Sequence, residues 1–218
     1  MPWQDEHWNG GIVVRSGGTP ESRRDIKLDH VIIESNLIEE CCLTGISAGS
    51  TMVNEYPKTT NLKILNNYVA NCFGDGIIAF FTDGALIEGN VSDHNGTAND
   101  PNAYYAGIWV IGADNTVMQY NEAFGQGISG DGQGFDVDLQ CHNSLVQYNY
   151  SHDNYGGFLL LMEQNSGKVT VRYNVSVNDG GSFIQVSRRE NPTSSIQADI
   201  YNNTFFTSST NFSKLFYL

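Results

Sequence analysis

Apolar residues come in short runs along this chain, seldom more than five together, and each run ends at a polar or glycine-containing turn. No stretch carries the three-to-four spacing of a long amphipathic helix. Seven segments align instead: "IESNLIEEC", "ILNNYVANC", "IEGNVSDHN", "MQYNEAFGQ", "VQYNYSHDN", "VRYNVSVND" and "IYNNTFFTS". The fourth residue of each is Asn, at positions 36, 67, 90, 121, 149, 174 and 203, spaced by 31, 23, 31, 28, 25 and 29 residues. Three positions earlier stands an aliphatic residue every time: Ile33, Ile64, Ile87, Met118, Val146, Val171 and Ile200. A second short strand follows downstream, introduced by small residues, as in "GISA", "GIIAF", "GIWVI", "GFDVD", "GFLLL" and "GSFIQV".

A repeat of this kind cannot be a helical solenoid, because none of its units holds ten helix-favouring residues in a row. It predicts a coil in which each repeat is one turn and like residues stack between turns, roughly 4.8 Å apart. The Asn column has a physical reason in such a coil. Asn tolerates the left-handed conformation at a bend, and its amide can hydrogen-bond the backbone of the next turn. The expected fold is therefore all-β, a single-stranded parallel β-helix of about seven rungs filling one domain over 1–218, with an irregular or capping segment at 1–24. Sequons such as Asn90-Val-Ser92 and Asn174-Val-Ser176 fall on the column and read as stacking positions, not glycosylation sites. Tyr120, Tyr148 and Tyr173, each just before a column Asn, read as a core or near-core aromatic stack.

These rungs, "LVQYNYSHDNYGGFLLL" above all, resemble those of right-handed parallel β-helix proteins that act on polysaccharides, over about residues 25 to 207. That group includes pectate-lyase-like and polygalacturonase-like enzymes and other β-helical glycoside hydrolases. The resemblance implies a carbohydrate partner and a secreted or extracellular protein. Two of the group's patterns are missing. The floor described below lacks the Lys or Arg base of the lyases, and the Asn-Thr-Asp, Asp-Asp, Gly-His-Gly and Arg-Ile-Lys motifs of polygalacturonases are absent.

Composition narrows the partners further. A formal charge of −13 argues against nucleic acid or an anionic membrane. No apolar run approaches the roughly 20 residues that span a bilayer. The start, "MPWQDEHWNGG", has no signal-peptide pattern, and the end, "NFSKLFYL", stops on apolar residues, so a portion of a longer coding region is expected. Cys41, Cys42, Cys72 and Cys141 lack zinc-ligand spacing and read as buried or stacked thiols, with a disulfide between Cys41 and Cys72 left open.

Insertions place a candidate site. Between the column Asn and the second strand most turns use eight or nine residues, but the third uses 17, adding "GTANDPNAYY" (96–105), and the fourth uses 13, adding "GISGDG" (127–132). On the far flank lie "STMVNEYPKTT" (50–60) and "SRRENPTSS" (187–195). Insertions on both flanks of one stacked sheet make the walls of a groove whose floor is that sheet. In "DGQGFDVDLQ" the alternation of a strand sends Phe135, Val137 and Leu139 inward and Asp136 and Asp138 onto the floor. Stacked on the small residue before each strand, Asp136 falls between Trp109 and Leu159, Asp138 falls between Ile111 and Leu161, and Phe80 lies two turns away.

Two carboxylates at i and i+2 lie roughly 6.5–7 Å apart, near the lower end of the spacing of about 6.5–9.5 Å found in inverting glycosidases. Apolar neighbours and like charge would raise one of the two pKa values. Asp131 is a third carboxylate in the adjoining loop, and His152, one turn away, is a candidate for proton transfer. Trp109 and Phe80 are candidates for stacking under a sugar, while Glu163 and Arg188 end neighbouring floor strands and could contact one. Two other readings stay open: a calcium site of Asp131, Asp136 and Asp138, or a plain solvated face. The leading expectation is a glycoside hydrolase using the carboxylate pair on a neutral plant polysaccharide such as xylan, without a cofactor. The alternatives are a non-catalytic carbohydrate-binding module and a polysaccharide lyase. Oligomeric state has no signal in the sequence.

Overall fold

The computed structural model describes residues 9–16, 27–50, 57–162, 168–187, 196–208 and 212–217. Among them all regular structure is β-strand, and no helix is long and apolar enough to cross a membrane. Three long sheets, of eight, seven and seven strands, run along a coil, and each pairs only strands from successive turns. Every pairing is parallel, as in Ile87 opposite Ile64 and Met118, or Val146 opposite Met118 and Val171. The column asparagines bound six full turns, slightly fewer than the seven rungs expected, because the last Asn opens a turn without closing it. Within the N-terminal segment expected to be irregular or capping, the strand Gly10–Arg15 pairs with Thr44–Gly49 at the end of the eight-stranded sheet.

The seven asparagines stack without a gap. Each backbone N–H from Asn36 to Asn174 donates to the side-chain oxygen of the next column Asn, at 2.9–3.0 Å. Each amide nitrogen donates to that same oxygen, and from Asn67 onward also to a backbone carbonyl of the previous turn, such as Ile87 for Asn121. A corner that would otherwise bury unpaired peptide groups is thereby satisfied from within. The left-handed conformation sits one residue earlier than expected, at Ser35, Asn66, Gly89, Tyr120, Tyr148, Tyr173 and Asn202, with φ between 53° and 68°. The column Asn keeps ordinary backbone angles and supplies the amide; its predecessor makes the bend.

That division of labour corrects the reading of the tyrosines. Tyr120, Tyr148 and Tyr173 occupy the bend, so their side chains leave the coil and are 58%, 42% and 41% exposed. They do stack, with ring centroids 5.1 and 5.3 Å apart and planes within 7° of parallel. The stack clothes the outside of a corner and is not part of the core.

Five residues after each column Asn a second polar ladder turns the next corner. Cys72 N–H donates to Asn95, Gln126 N–H to Asn154, and Asn154 N–H to Asp179, at 2.9–3.1 Å. This ladder leads each turn into the eight-stranded sheet. Inside the coil, Ile64, Ile87, Met118, Val146 and Val171 pack with Ile77, Ile108, Phe135 and Leu159 in one continuous core. None of the four cysteines is in a disulfide; Cys72 and Cys141 are buried thiols in that core.

Asn121 makes bonds to the turns on both sides, whereas Asn36 stands at the first turn and is only half-buried. Asn121→Ala should therefore lower unfolding stability by roughly 2–4 kcal/mol and Asn36→Ala by clearly less, because more buried donors and acceptors lose partners at the centre. Urea unfolding of the two variants checks this; equal losses would refute a column that acts through burial.

Candidate active site

The eight-stranded sheet is the floor of the groove, and its outward column reads Ile78, Trp109, Asp136, Leu160, Gln185 along successive turns. Asp136 therefore lies between Trp109 and Leu160, one residue away from the Leu159 expected on that side. The glycine that precedes this strand sits one place too early to mark its start: Gly157 pairs with Gln133, so Phe158 stands level with Gly134 and fills the core beside Phe135. Leu159 and Leu161 point inward, while Leu160 and Met162 face the groove. The strand Gln133–Val137 ends just before Asp138, whose N–H still donates to Val110.

Asp131, Asp136 and Asp138 do come together. They line one pocket of about 340 Å³, walled by Tyr104 and Tyr105 of the third-turn insertion and by Trp109, Leu139, Leu160 and Met162. Asp131 and Asp138 are half-buried, and Asp136 is only 3% exposed. Burial among apolar groups, reinforced by the charges of Asp138, Asp131 and Asp75, pushes the Asp136 carboxyl well above its ordinary range. Its Oδ1 is buried and, among the described residues, has no hydrogen-bond partner. A buried polar atom left unpaired at a pocket floor is the kind of group that a ligand satisfies. Among the described residues no three acidic, His or Cys side chains are gathered closely enough to hold a metal ion.

Other candidates fall elsewhere. Phe80 is completely buried, edge-on to Trp109 at 5.8 Å, in an apolar cluster with Ile78, Ala106 and Ile111. It supports the Trp109 ring from behind and cannot touch a sugar. His152 belongs to the neighbouring sheet, where its ring stacks on Phe124 at 4.6 Å and its nitrogens meet Asp153 at 2.8 Å and Glu122 at 3.2 Å. It does not line the carboxylate pocket, because consecutive sheets of the coil face different directions. Glu163 and Arg188 lie outside the described residues.

Sequence reasoning missed Asp75. It is fully buried, and its Oδ1 accepts from the Trp109 indole N–H at 2.8 Å and from the Ala106 N–H at 3.0 Å. One carboxylate thus fixes the wall of the pocket and anchors the end of the inserted loop to the floor. The only signal in the sequence is an acidic residue just before a "GIIAF" strand, in the turn facing the insertion.

Two expectations follow from these charges. Asp136 titrates near 3.8 when unfolded and higher when folded, so in the interval between those values the folded chain retains a proton that the unfolded chain has released. Stability contributed by Asp136 is full below pH 3.8 and falls as pH rises through that interval, by up to about 1.4 kcal/mol per pH unit. Asp136→Asn should abolish this decline in urea unfolding measured across pH, and parallel profiles for the two proteins would refute the buried proton. Asp75→Ala should cost about 1–3 kcal/mol and shift Trp109 fluorescence, because two buried donors lose their acceptor. Asp75→Asn, whose amide oxygen can accept both bonds, should cost much less.

The family model described as "Right handed beta helix region" matches residues 5–123, more than half of the chain. A lacto-N-biosidase of Bifidobacterium longum subsp. longum is 31% identical over 211 residues, covering 83% of this chain and 13% of that protein. The crystal structure of a GH136 lacto-N-biosidase from Eubacterium ramulus, in its selenomethionine form, superimposes with a TM-score of 0.66 at 24% identity, covering 82% of this chain and 36% of that one. The native form of the same enzyme gives 0.66 at 23% identity, again over 82% of this chain and 36% of that one. The chain therefore spans a minor part of the length of these relatives. With the match running through the Asn-cornered turns up to the strand before the carboxylate pocket, the chain belongs to the right-handed β-helix family.

Proposed function

We propose that this chain carries the catalytic pocket of a glycoside hydrolase that removes a terminal unit from an oligosaccharide, with a lacto-N-bioside as the favoured substrate. One observation carries the reading: a buried Asp136 whose Oδ1 has no partner among the described residues and whose carboxyl is pushed upward by burial, sharing one pocket with the half-buried carboxylates Asp131 and Asp138. Glycoside hydrolysis needs one protonated carboxyl for the departing oxygen and one charged carboxyl at the sugar. In this pocket a proton passes to the glycosidic oxygen as its bond to the anomeric carbon breaks. Water supplies the oxygen that the anomeric carbon gains and the proton that restores the acid. Tyr104, 62% exposed, offers an aromatic surface to the sugar, and Trp109, only 4% exposed, contributes an apolar edge to the pocket. Nothing in the pocket favours xylan, and the names of the relatives point to a lacto-N-bioside instead.

The lyase alternative loses ground because no Lys or Arg stands among the described residues that line the pocket. A carbohydrate substrate also fits a protein that works outside the cell.

With the intact protein, release of sugar from a lacto-N-bioside is expected, and from xylan little or none. Asp131→Asn, Asp136→Asn and Asp138→Asn should each lower kcat/KM by about 10²–10⁴-fold. Retained activity in Asp136→Asn alone would move the acid role to Asp131 and leave Asp136 as a hydrogen-bonding group. Binding of the glycan without any release by the wild type would make the chain a binding module and sink the hydrolase reading.

A further inference from the structure

Beside the carboxylate pocket lies a second, more open cleft of about 620 Å³, formed by the corners of the next two turns. Asp131 lines both cavities. We infer that this cleft binds the sugar residues on the leaving-group side of the bond being cut, with the ring of Tyr155 as their stacking platform. The inference rests on the hydrolase reading above. Because Asp131 borders both cavities, a glycan whose terminal unit fills the walled pocket has the cleft as its neighbour on the Asp131 side.

The corners are built to leave that space. A Cβ on Gly156 would lie 1.8 Å from the Asp131 carbonyl oxygen, and one on Gly180 would lie 2.5 Å from that of Tyr155. Close backbone stacking therefore forbids side chains at both positions, and both glycines line the cleft. Tyr155 is 53% exposed. The tyrosines of the other corner cover one another's faces, whereas the residue stacked over the Tyr155 backbone in the next turn is Gly180, which has no ring to lay on it. An exposed aromatic face is what the apolar side of a sugar ring packs against. Asn178 and Gln185 supply hydrogen-bonding groups at the rim. Asp131 and Asp153 make the cleft acidic, so it suits neutral sugars and disfavours uronates or sulfated residues.

Two substrates that share one glycone test the inference on the intact protein. One is the lacto-N-biosyl fluoride, whose leaving group is too small to reach the cleft; the other carries two or more neutral sugars as its leaving group. Tyr155→Ala should lower the ratio of kcat/KM on the oligosaccharide to that on the fluoride by roughly 10-fold. Tyr155→Phe, which keeps the ring, should hold the ratio near that of the wild type, and activity on the fluoride reports that each variant is folded. An unchanged ratio in Tyr155→Ala, or equal losses on both substrates, would overturn the leaving-group site while the hydrolase reading stands. A wild type that cleaves neither substrate overturns the hydrolase reading, and this inference with it.

Discussion

A parallel coil must turn corners, and every corner threatens to bury peptide groups that no sheet can pair. In this chain the side-chain amide of one Asn per turn meets that demand. It receives two donors from the previous turn's Asn and gives its own to the next Asn and to a carbonyl behind it. Because each amide needs the one above it, the column fixes the register of whole turns and not only of its own corner. The sheets, the inward aliphatic stack and the spacing of outward residues all inherit that register. The second ladder at Asn95, Gln126, Asn154 and Asp179 does the same for the corner that opens onto the floor.

A rigid floor of this kind turns a sequence position into a chemical environment. Asp136 occupies an outward position that on most antiparallel sheets would face water. Here Trp109 and Leu160 stand on either side of it in register, and the inserted loop closes over them. The carboxyl is desolvated by neighbours it did not select, and the nearby charges of Asp138, Asp131 and Asp75 act in the same direction. Asp75 and Phe80 then hold Trp109 from the side and from behind. The pocket's electrostatics are consequently a property of stacking: shifting the floor by one residue would send Asp136 into the core and Phe135 into the groove.

Much of the fold was legible because its cause repeats. Seven Asn residues and seven aliphatic partners display the same constraint seven times. The walls of the site were legible too, since the insertions at 96–105 and 127–132 break an otherwise even rhythm and both reach the pocket. Individual side chains fared less well. Phe80 and Trp109 look alike as outward aromatics, yet one is sealed beneath the other. His152 is one turn from Asp136 along the coil but lies on another sheet, where it faces Glu122 and Asp153. Tyr120, Tyr148 and Tyr173 precede the column Asn and therefore take the left-handed bend, which carries them outward.

The sequence by itself determined the coil, its corners and the side of it that carries the groove, because those follow from periodic matches between neighbouring turns. Only the tertiary structure decided which outward residues are wet. That depends on which residue, Gly157 or Phe158, stands level with Gly134, on where an inserted loop comes to rest and on which buried acid catches the indole of Trp109. Each is a single event without a repeat to announce it. The upward push on the Asp136 carboxyl belongs to the same class: it is set by the solvent the group has lost, and that loss is a sum over neighbours distant in the chain.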